Sequence, residues 1–240
     1  MRAEPNFARA RRAEHQYGLQ LRKIARHIAD LVGGFDFGEP LVADLIDRAL
    51  RRYAEVLRPW ATSVGKRMLA DVSQRDAVAW AELSKQMGRA LRREIHGAPT
   101  GIVMQEALAR QVTLITSLPL EAAQRVHRLT TEGIIQGTRA KEIAAEIGRT
   151  GEVTASRSML IARTEVSRTA TALTQARAQH IGSPGYIWRT SHDSDVRPSH
   201  KRMDGKTVLW ADEPVLDKLR GHAGCLPSCR CFCEPIIPNT

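Results

Sequence analysis

The sequence predicts a mainly α-helical protein with a small α+β domain at its C-terminal end, containing a β-hairpin and a cysteine-rich closing strand. Three observations carry this prediction. Apolar residues recur at helical spacing over the first two thirds of the chain. Strand and turn signals begin after Gly185, and all four cysteines lie within the last sixteen residues. At 240 residues the chain is long enough to bury a substantial core.

Three amphipathic stripes predict helices in the first hundred residues. They run from Leu21 to Leu31, from Ile46 to Val64 and from Trp80 to Ile95. Their steps of three and four residues, with basic side chains between them, are typical of helices with one buried face. Pro59 predicts a kink or break near Arg58. We interpret the stripes as core packing in a helical bundle, and the alternative is that one of them docks on a partner helix.

Shorter helical patterns follow Pro119, so we predict a helical, partner-docking region over residues 1–118 and a second domain over residues 119–240. Thr138 is a candidate N-cap, and Gly148 a candidate stop signal. A long helix with Ala, Ser and Thr on its core face would let neighbouring backbone approach closely. The predicted helices cover Glu121 to Ile135, Thr138 to Gly148, and a span from Thr154 or Ser156 to about Ile181.

Beyond Gly185 the pattern predicts strands and loops. Tyr186 to Arg189 is typical of a short strand, and Asp204-Gly205 of a hairpin turn that leads into Thr207 to Trp210. Residues 212–224 are loop-like. The alternation from Cys229 to Ile237 predicts a last strand, with prolines at its end.

The chain carries 36 Lys and Arg against 26 Asp and Glu, a formal net charge of +10. This excess favours an anionic partner, and it predicts nonspecific DNA binding that weakens with salt. No apolar run approaches the length of a membrane span, and the first residues give no sign of a secretory signal. The candidate DNA contacts are the basic side chains on the first two stripes, Arg22, Lys23, Arg26, Arg48, Arg51 and Arg52.

Clustered cysteines, with no secretory signal expected, favour a metal site or free thiols over a disulfide framework. If 229–233 is a regular strand, its first and third cysteines lie about 13 Å apart, too far to share one zinc ion. We therefore expect any bound zinc ion to have four protein ligands that do not include all three cysteines of the strand, with His222 as a substitute for one of the four. Buried reduced thiols and a disulfide are the alternatives. The candidate metal ligands are His200, Cys225, Cys229 and Cys231.

Charged residues in the C-terminal half have two interpretations. Arg163, Glu165 and Arg168 recur about three residues apart on the long helix, which favours a salt-bridge network over a catalytic carboxylate. Asp193 and Arg197 are expected in the same network, where they would fix the loop. Trp188 and Trp210 are expected to pack in the core.

A nuclease site could be assembled from four side chains of one loop. The sequence shows no ordered nucleophile or base among them, so we expect no enzymatic activity. Those side chains are His192, Asp193, Asp195 and His200.

Several short motifs occur in order along the C-terminal hundred residues. They are Gly137-Thr-Arg-Ala-Lys-Glu-Ile-Ala144, Ala162-Arg-Thr-Glu165, Trp188, Asp193, Val196-Arg-Pro-Ser-His200, Met203-Asp-Gly-Lys206 and Cys229-Arg-Cys231 with Glu234-Pro235. This ordered set resembles the Mu F-like minor head proteins of tailed bacteriophages, also called the phage head morphogenesis family. One branch of that family carries Cys-x-x-Cys where this chain has Arg197 to His200. Both loops would meet the same closing Cys-x-Cys, so we expect His200 close to Cys229 and Cys231.

The resemblance implies a Mu F-like head morphogenesis domain over residues 119–240. It implies a structural minor head protein, inside the capsid at the portal vertex, that acts in head assembly or genome delivery. The implied partners are the portal protein and packaged double-stranded DNA, with the scaffold or major capsid protein as a further candidate and no membrane. The implied location is the virion, after assembly in the host cytoplasm. Zinc is the candidate cofactor. A metal-dependent nuclease and a nucleic-acid-binding module unconnected with virions remain as alternatives.

Overall fold

A computed structural model describes residues 11–37, 41–85, 95 and 97–238, and it confirms the predicted fold class. No helix among these residues is both long and apolar enough to cross a bilayer. The helices are α1 Arg11–Gly33, α2 Val42–Val56, α3 Arg58–Ser84, α4 Thr100–Ile135, α5 Ala140–Gly148, α6 Thr150–His180 and α7 Pro198–Lys201. The strands are β1 Gly185–Thr190, β2 Thr207–Leu209, β3 Val215–Leu216, β4 Leu219–Arg220 and β5 Cys231–Pro235.

The chain forms two compact units, each assembled from separate segments. Of the described residues, the helical unit comprises 16–37, 41–65 and 109–162. Of the described residues, the C-terminal unit comprises 11–15, 66–85, 95, 97–108 and 163–238. The boundary between residues 118 and 119 stays a prediction.

Apolar stripes form the core of the helical unit. Leu21 and Ile28 of α1 and Leu50 of α2 are fully buried, as their spacing predicts. The rings of His27 and Tyr53 lie 4.4 Å apart and join the two helices. Core packing is therefore the correct interpretation of these stripes. Of the third stripe, Met87 and Leu91 lie outside the described residues.

Two prolines have opposite effects on the helices. At Pro59 the predicted break is confirmed, because α2 ends at Val56 and α3 begins at Arg58. At Pro119 the prediction of a separate short helix is wrong, because α4 continues through the proline. Proline removes one helical hydrogen bond, but the flanking Leu118 is buried. Core packing on this face of α4 therefore keeps the helix continuous.

Two helices begin at positions other than those predicted from hydroxyl side chains. Arg139, in an extended conformation, precedes α5 in place of the predicted N-cap Thr138, and it makes no side-chain cap. The long helix α6 begins at Thr150, before the predicted starts at Thr154 or Ser156. The Thr154 hydroxyl donates to the Thr150 carbonyl at 2.8 Å, so Thr154 lies inside the helix and does not cap it. Ser158 repeats this bond to Thr154. Hydroxyls that bond back into the preceding turn are compatible with a helix interior.

A three-stranded antiparallel sheet closes the C-terminal unit, with β1 between β2 and β5. Trp188 pairs with Cys233 and Thr190 with Cys231, and these four side chains are buried. The predicted cysteine-rich closing strand is therefore present, although it begins at Cys231. Trp188 and Trp210 both lie in the core, as predicted.

The predicted β-hairpin is present at a different position. Gly205 makes the expected turn with φ of 78°, but α7 precedes that turn and β2 returns to pair with β1. The tight hairpin is β3–β4, inside the segment predicted to be a loop. Asp217 and Lys218 connect its strands with φ of 52° and 66°. Two consecutive left-handed residues are typical of a type I′ turn, which matches the twist of paired strands.

Candidate metal centre

One histidine and two cysteines form a buried cluster where α7 meets the closing strand. The His200 Nδ1 atom lies 3.3 Å from the Cys229 Sγ atom and 3.4 Å from the Cys231 Sγ atom. All three donor atoms lie within 4.8 Å of one another. The residues are 1%, 3% and 5% exposed. This His–Cys cluster confirms the expected proximity, and its donors suit one zinc-like cation.

Local backbone geometry brings the two sulfurs to the same point. Consecutive inward-facing residues on a regular strand lie nearly 7 Å apart along the chain. Cys229 escapes this constraint because it precedes β5, after Ser228 with φ of 51°. Its N–H group donates to the Leu226 carbonyl at 3.0 Å, so the chain turns immediately before the strand. Cys231 is the first residue of β5 and faces the core.

A short helix supplies the histidine. Pro198 occupies the first turn of α7, after Arg197 in an extended conformation. Proline suits this position because the first helical N–H groups have no intrahelical partner. His200 then faces inward, with its ring edge-on to Trp188 at 5.7 Å. This contact fixes the plane of the imidazole beside the sulfurs.

The two thiols of the cluster affect each other's ionisation. Hydrogen bonds from Cys231 and His200 lower the pKa of Cys229. The hydrogen bond to Cys229, together with burial, raises the pKa of Cys231. These hydrogen bonds favour a thiolate in the pair, and a thiolate is the form that binds metal.

The second ring nitrogen of His200 is also buried. Among the described residues this Nε2 atom has no hydrogen-bond partner, and the Asp217 Oδ2 atom lies 3.9 Å away. The Ser199 hydroxyl donates to that same Oδ2 at 2.8 Å. The Arg197 Nε atom lies 3.7 Å from it. The β3–β4 hairpin thus presents a carboxylate to the side of the imidazole that faces away from the sulfurs.

The structure does not assemble the predicted tetrad. His200, Cys229 and Cys231 meet, but Cys225 lies outside the His–Cys cluster. The substitute ligand His222 lies in the aromatic core instead, where its Nδ1 atom is 3.2 Å from the Tyr186 hydroxyl. Burial lowers the pKa of His222. No disulfide joins any of the four cysteines, so the disulfide alternative is not what the structure contains.

The predicted salt-bridge network is present in pieces along α6. Arg168 pairs with Glu165 at 2.9 Å and donates to the Cys225 carbonyl at 2.9 Å, which ties the helix to the C-terminal segment. Arg163 instead donates to Glu14 at 3.0 Å. The sequence gives no sign of this partner, which lies 149 positions away.

Asp193 and Arg197 do not share partners. Arg230 donates to Asp193 at 2.7 Å and pairs with Asp195 at 2.8 Å. Arg197 donates to the Pro227 carbonyl at 3.2 Å. Arg230 was missed by sequence reasoning, although its place between two inward-facing cysteines indicates an outward side chain.

The four residues considered for a nuclease do not converge on one point. The carboxylate oxygens of Asp193 and Asp195 form ion pairs with Arg230. Exposed His192 lies beside Asp204, with 3.8 Å between its Nε2 atom and the Asp204 Oδ2 atom. Within the described parts of the chain, the His–Cys cluster is the only group of three such donors close enough to share a metal ion.

A pocket of about 210 Å³ lies beside the His–Cys cluster. His200 and Cys229 form part of its wall, which also includes Asp195 and three ion-paired arginines. The arginines are Arg163, Arg197 and Arg230.

The candidate DNA contacts lie on the helical unit. Arg22 is half-buried, and the others are exposed. Arg51 pairs with Asp47 at 2.6 Å, one turn earlier on α2. The exposed group comprises Lys23, Arg26, Arg48, Arg51 and Arg52.

Comparison with known proteins identifies relatives that are longer than this chain. A protein of Haemophilus influenzae described as uncharacterized is 33% identical over 173 residues, 70% of this chain and 38% of the relative. An uncharacterized protein of Methanocaldococcus jannaschii is 30% identical, over 48% of this chain and 17% of its own length. An NAD(+)–arginine ADP-ribosyltransferase of Enterococcus faecalis is 30% identical, over 49% of this chain and 26% of its own.

The chain thus spans less than two fifths of each of these relatives. No solved structure matches it significantly. The sequence model of the family described as Phage Mu protein F like protein matches residues 124–234. The match runs from within α4 to Glu234 in the closing strand, and it includes the whole His–Cys cluster. Over residues 124–234, a little under half of its length, this chain is therefore similar to the Phage Mu protein F like family.

Proposed function

We propose that this chain is a structural minor head protein of a tailed bacteriophage. In this proposal it associates with the portal inside the capsid and acts in head assembly, genome delivery or both. The observation that carries the proposal is the family match over residues 124–234. It agrees with the ordered motifs that the sequence presents over the same segment.

The construction of the C-terminal unit supports a structural role. Three hydrogen bonds fasten the segment before the closing strand onto α6. Thr171 donates to the Ala223 carbonyl at 2.7 Å, Arg168 donates to the Cys225 carbonyl, and the Ser228 N–H donates to Thr164 at 3.0 Å. A loop held at regular intervals along a helix makes a rigid module, which suits a component built into a larger assembly.

The basic side chains of the helical unit support the proposal that the chain contacts packaged DNA. Its exposed basic side chains on α1 and α2 belong to a chain with a net charge of +10. Cationic side chains bind DNA by displacing counterions from phosphates, with no need for base-specific contacts. A protein that lies beside a packaged genome would use this kind of binding.

We further propose that the chain is not an enzyme. Arg230 forms ion pairs with both carboxylates of the candidate nuclease loop, Asp193 and Asp195, which supports this proposal. Incubation of purified protein with supercoiled plasmid and added Zn²⁺ or Mg²⁺ tests this directly. Intact plasmid is expected. Cleavage that is abolished by the His200→Gln variant would favour the nuclease alternative.

The portal association is tested by co-expression with the portal protein of the same phage, followed by affinity purification of either partner. Deletion of residues 1–35 is a poor test, because Leu21, Ile24 and Ile28 form part of the core of the helical unit. Charge reversal at exposed Lys23 and Arg26 leaves that core intact. Co-purification of the unmodified pair is expected, and reduced recovery of the variant would assign the contact to α1. Failure of the unmodified pair to associate would contradict the proposal.

A further inference from the structure

We propose that the His–Cys cluster binds one Zn²⁺ ion through the His200 Nδ1 atom and the thiolates of Cys229 and Cys231. A water molecule from the adjacent pocket completes the tetrahedron, and Asp217 orients the histidine from behind. This inference goes beyond the proposed function and does not depend on it.

The interatomic distances in the cluster fit a tetrahedral zinc ion. Zn–S bonds of about 2.3 Å and a Zn–N bond of about 2.05 Å, at the tetrahedral angle, place the sulfur and nitrogen atoms about 3.6 Å apart. The His200 Nδ1 atom lies 3.3 Å and 3.4 Å from the two sulfurs. Expansion by a few tenths of an ångström therefore converts the observed cluster into a coordination sphere. The soft thiolates and the imidazole are ligands that zinc prefers over magnesium or calcium.

The Nε2 atom of His200, on the side of the ring that faces away from the sulfurs, provides an independent observation. A buried Nε2 atom without a hydrogen bond is costly, and few such atoms occur in native proteins. In zinc sites the second nitrogen of a histidine ligand usually donates to a carboxylate or carbonyl, which fixes the tautomer. Asp217 holds its Oδ2 atom 3.9 Å from Nε2, on a left-handed turn residue. With zinc on Nδ1, the proton must lie on Nε2, where it faces this carboxylate.

The pocket supplies both an entrance and the fourth ligand position. It reaches His200 and Cys229, so an ion can enter the cluster from solvent. Cys225 is not close enough to be the fourth ligand, and Cys233 donates instead to the Ala223 carbonyl at 3.6 Å. Three protein ligands with one water is an established arrangement for zinc.

Bound zinc would join two segments that otherwise meet at this point through weak sulfur contacts. His200 belongs to α7, and the cysteines belong to the start of the closing strand. An ion that binds the folded state alone stabilises it in proportion to the logarithm of its concentration over its dissociation constant. Bound zinc would therefore stabilise the folded C-terminal unit.

The test uses the full-length protein, purified under reducing conditions, incubated with ZnCl₂ and then desalted. Elemental analysis is expected to give about one zinc per chain. The Cys229→Ser and Cys231→Ser variants are expected to lose most of that zinc. Cys225→Ser is the matched control, since it removes a nearby cysteine outside the cluster, and it is expected to retain zinc. Absence of zinc from the unmodified protein, or loss of zinc in Cys225→Ser, would overturn the three-ligand site.

A second measurement covers variants that fail to fold. X-ray absorption of the unmodified zinc-loaded protein is expected to show two sulfur ligands near 2.3 Å, with nitrogen or oxygen ligands at about 2.0 Å. Three or four sulfurs, or none, would contradict the proposal.

The Asp217→Asn variant is expected to weaken zinc binding about 10- to 100-fold in a competition with a chelator. Unchanged affinity would remove Asp217 from the site.

Discussion

At the scale of single residues, a buried ion pair between α3 and α6 places strict demands on both of its partners. Asp76 and Arg177 are 6% and 8% exposed, and the Arg177 Nε atom donates to the Asp76 Oδ2 atom at 2.7 Å. Thr174 donates to the other carboxylate oxygen at 2.9 Å, and Arg177 also reaches the Ile95 carbonyl at 3.1 Å. Each partner satisfies a charge that the core could not hold alone.

We predict that Asp76→Ala lowers the free energy of unfolding by about 3–5 kcal/mol, because it leaves the Arg177 guanidinium buried without its counterion. Asp71→Ala on the same helix is the control. Asp71 pairs with Arg75 in a half-exposed position, where a salt bridge contributes at most about 1 kcal/mol. Urea titration of both variants measures the difference. Equal losses in the two variants would show that the buried pair has no special importance.

The pH dependence of stability should reveal buried His222. Burial lowers the pKa of His222 in the folded state, so the unfolded chain binds its proton more readily. Stability from this residue is therefore complete above the unfolded pKa of about 6.5 and is lost as the pH falls below it. We predict that the melting temperature of the unmodified protein falls more steeply between about pH 7 and pH 5 than that of His222→Gln. Parallel pH profiles would contradict the prediction.

Residue-level features were predictable from the sequence where a local motif carries them. The meeting of His200 with Cys229 and Cys231 follows from two short motifs. Asp217 and Glu14 were not predictable, because each reaches its partner through the tertiary fold and has no local signature. The structure leaves Cys225 outside the His–Cys cluster, since a count of nearby cysteines does not say which of them turn toward the histidine.

At the scale of elements, close packing of α6 depends on its small side chains. A Cβ atom at Gly151 would overlap the Cβ atom of Ala29 in α1 and lie 3.1 Å from its Cα atom. Ser158 donates to the Leu21 carbonyl at 3.5 Å on the same face. The sequence predicted this close approach from the Ala, Ser and Thr residues of the helix. The neighbour, α1, could not be identified from that pattern.

We predict that Gly151→Ala destabilises the protein by about 1–3 kcal/mol, because the added methyl group forces α1 away. In an unobstructed helix the same change would stabilise by about 1 kcal/mol. Gly148→Ala is the matched control, since nothing lies within 4 Å of the added carbon. Denaturant unfolding compares the two variants. Stabilisation by Gly151→Ala would rule out the close contact with Ala29.

Secondary structure was predictable where the pattern is periodic and was misjudged where one residue carried the inference. The stripes of α1 and α2 and the alternation of the closing strand were correct. Pro119 and Thr138 were each interpreted as a boundary, yet burial overrode the proline, and Arg139 took the place of the threonine as the residue before α5. Local preferences, which reach about 3 kcal/mol for a proline inside a helix, give way here to core packing.

At the scale of the whole molecule, the net charge of +10 is the property that bears most directly on partners. The exposed basic residues of α2 form one surface of the helical unit, and other basic residues lie elsewhere on the same unit. If DNA binds mainly to the α2 surface, removing charges there should weaken binding more than removing the same number of charges elsewhere. If binding depends only on the total charge, the two changes should have equal effects.

We predict sequence-independent DNA binding whose affinity falls steeply with salt. Replacement of Arg48, Arg51 and Arg52 by Gln is expected to reduce the slope of log affinity against log salt by up to about 2.7, at about 0.9 for each phosphate that is no longer neutralised. The control replaces three exposed basic residues outside α1 and α2, namely Arg128, Arg139 and Lys141. Fluorescence anisotropy at several salt concentrations measures both slopes. Identical slopes in the two variants would favour diffuse charge, and absence of binding would contradict the DNA contact itself.

The central claim is that this chain is a component of the phage head at the portal vertex. Quantitative mass spectrometry of purified heads, assembled with and without the portal protein, tests it most directly. We expect a few copies of the chain in each head that contains a portal, and none in heads that lack one. Absence of the chain from portal-containing heads, or equal amounts in both preparations, would contradict the account.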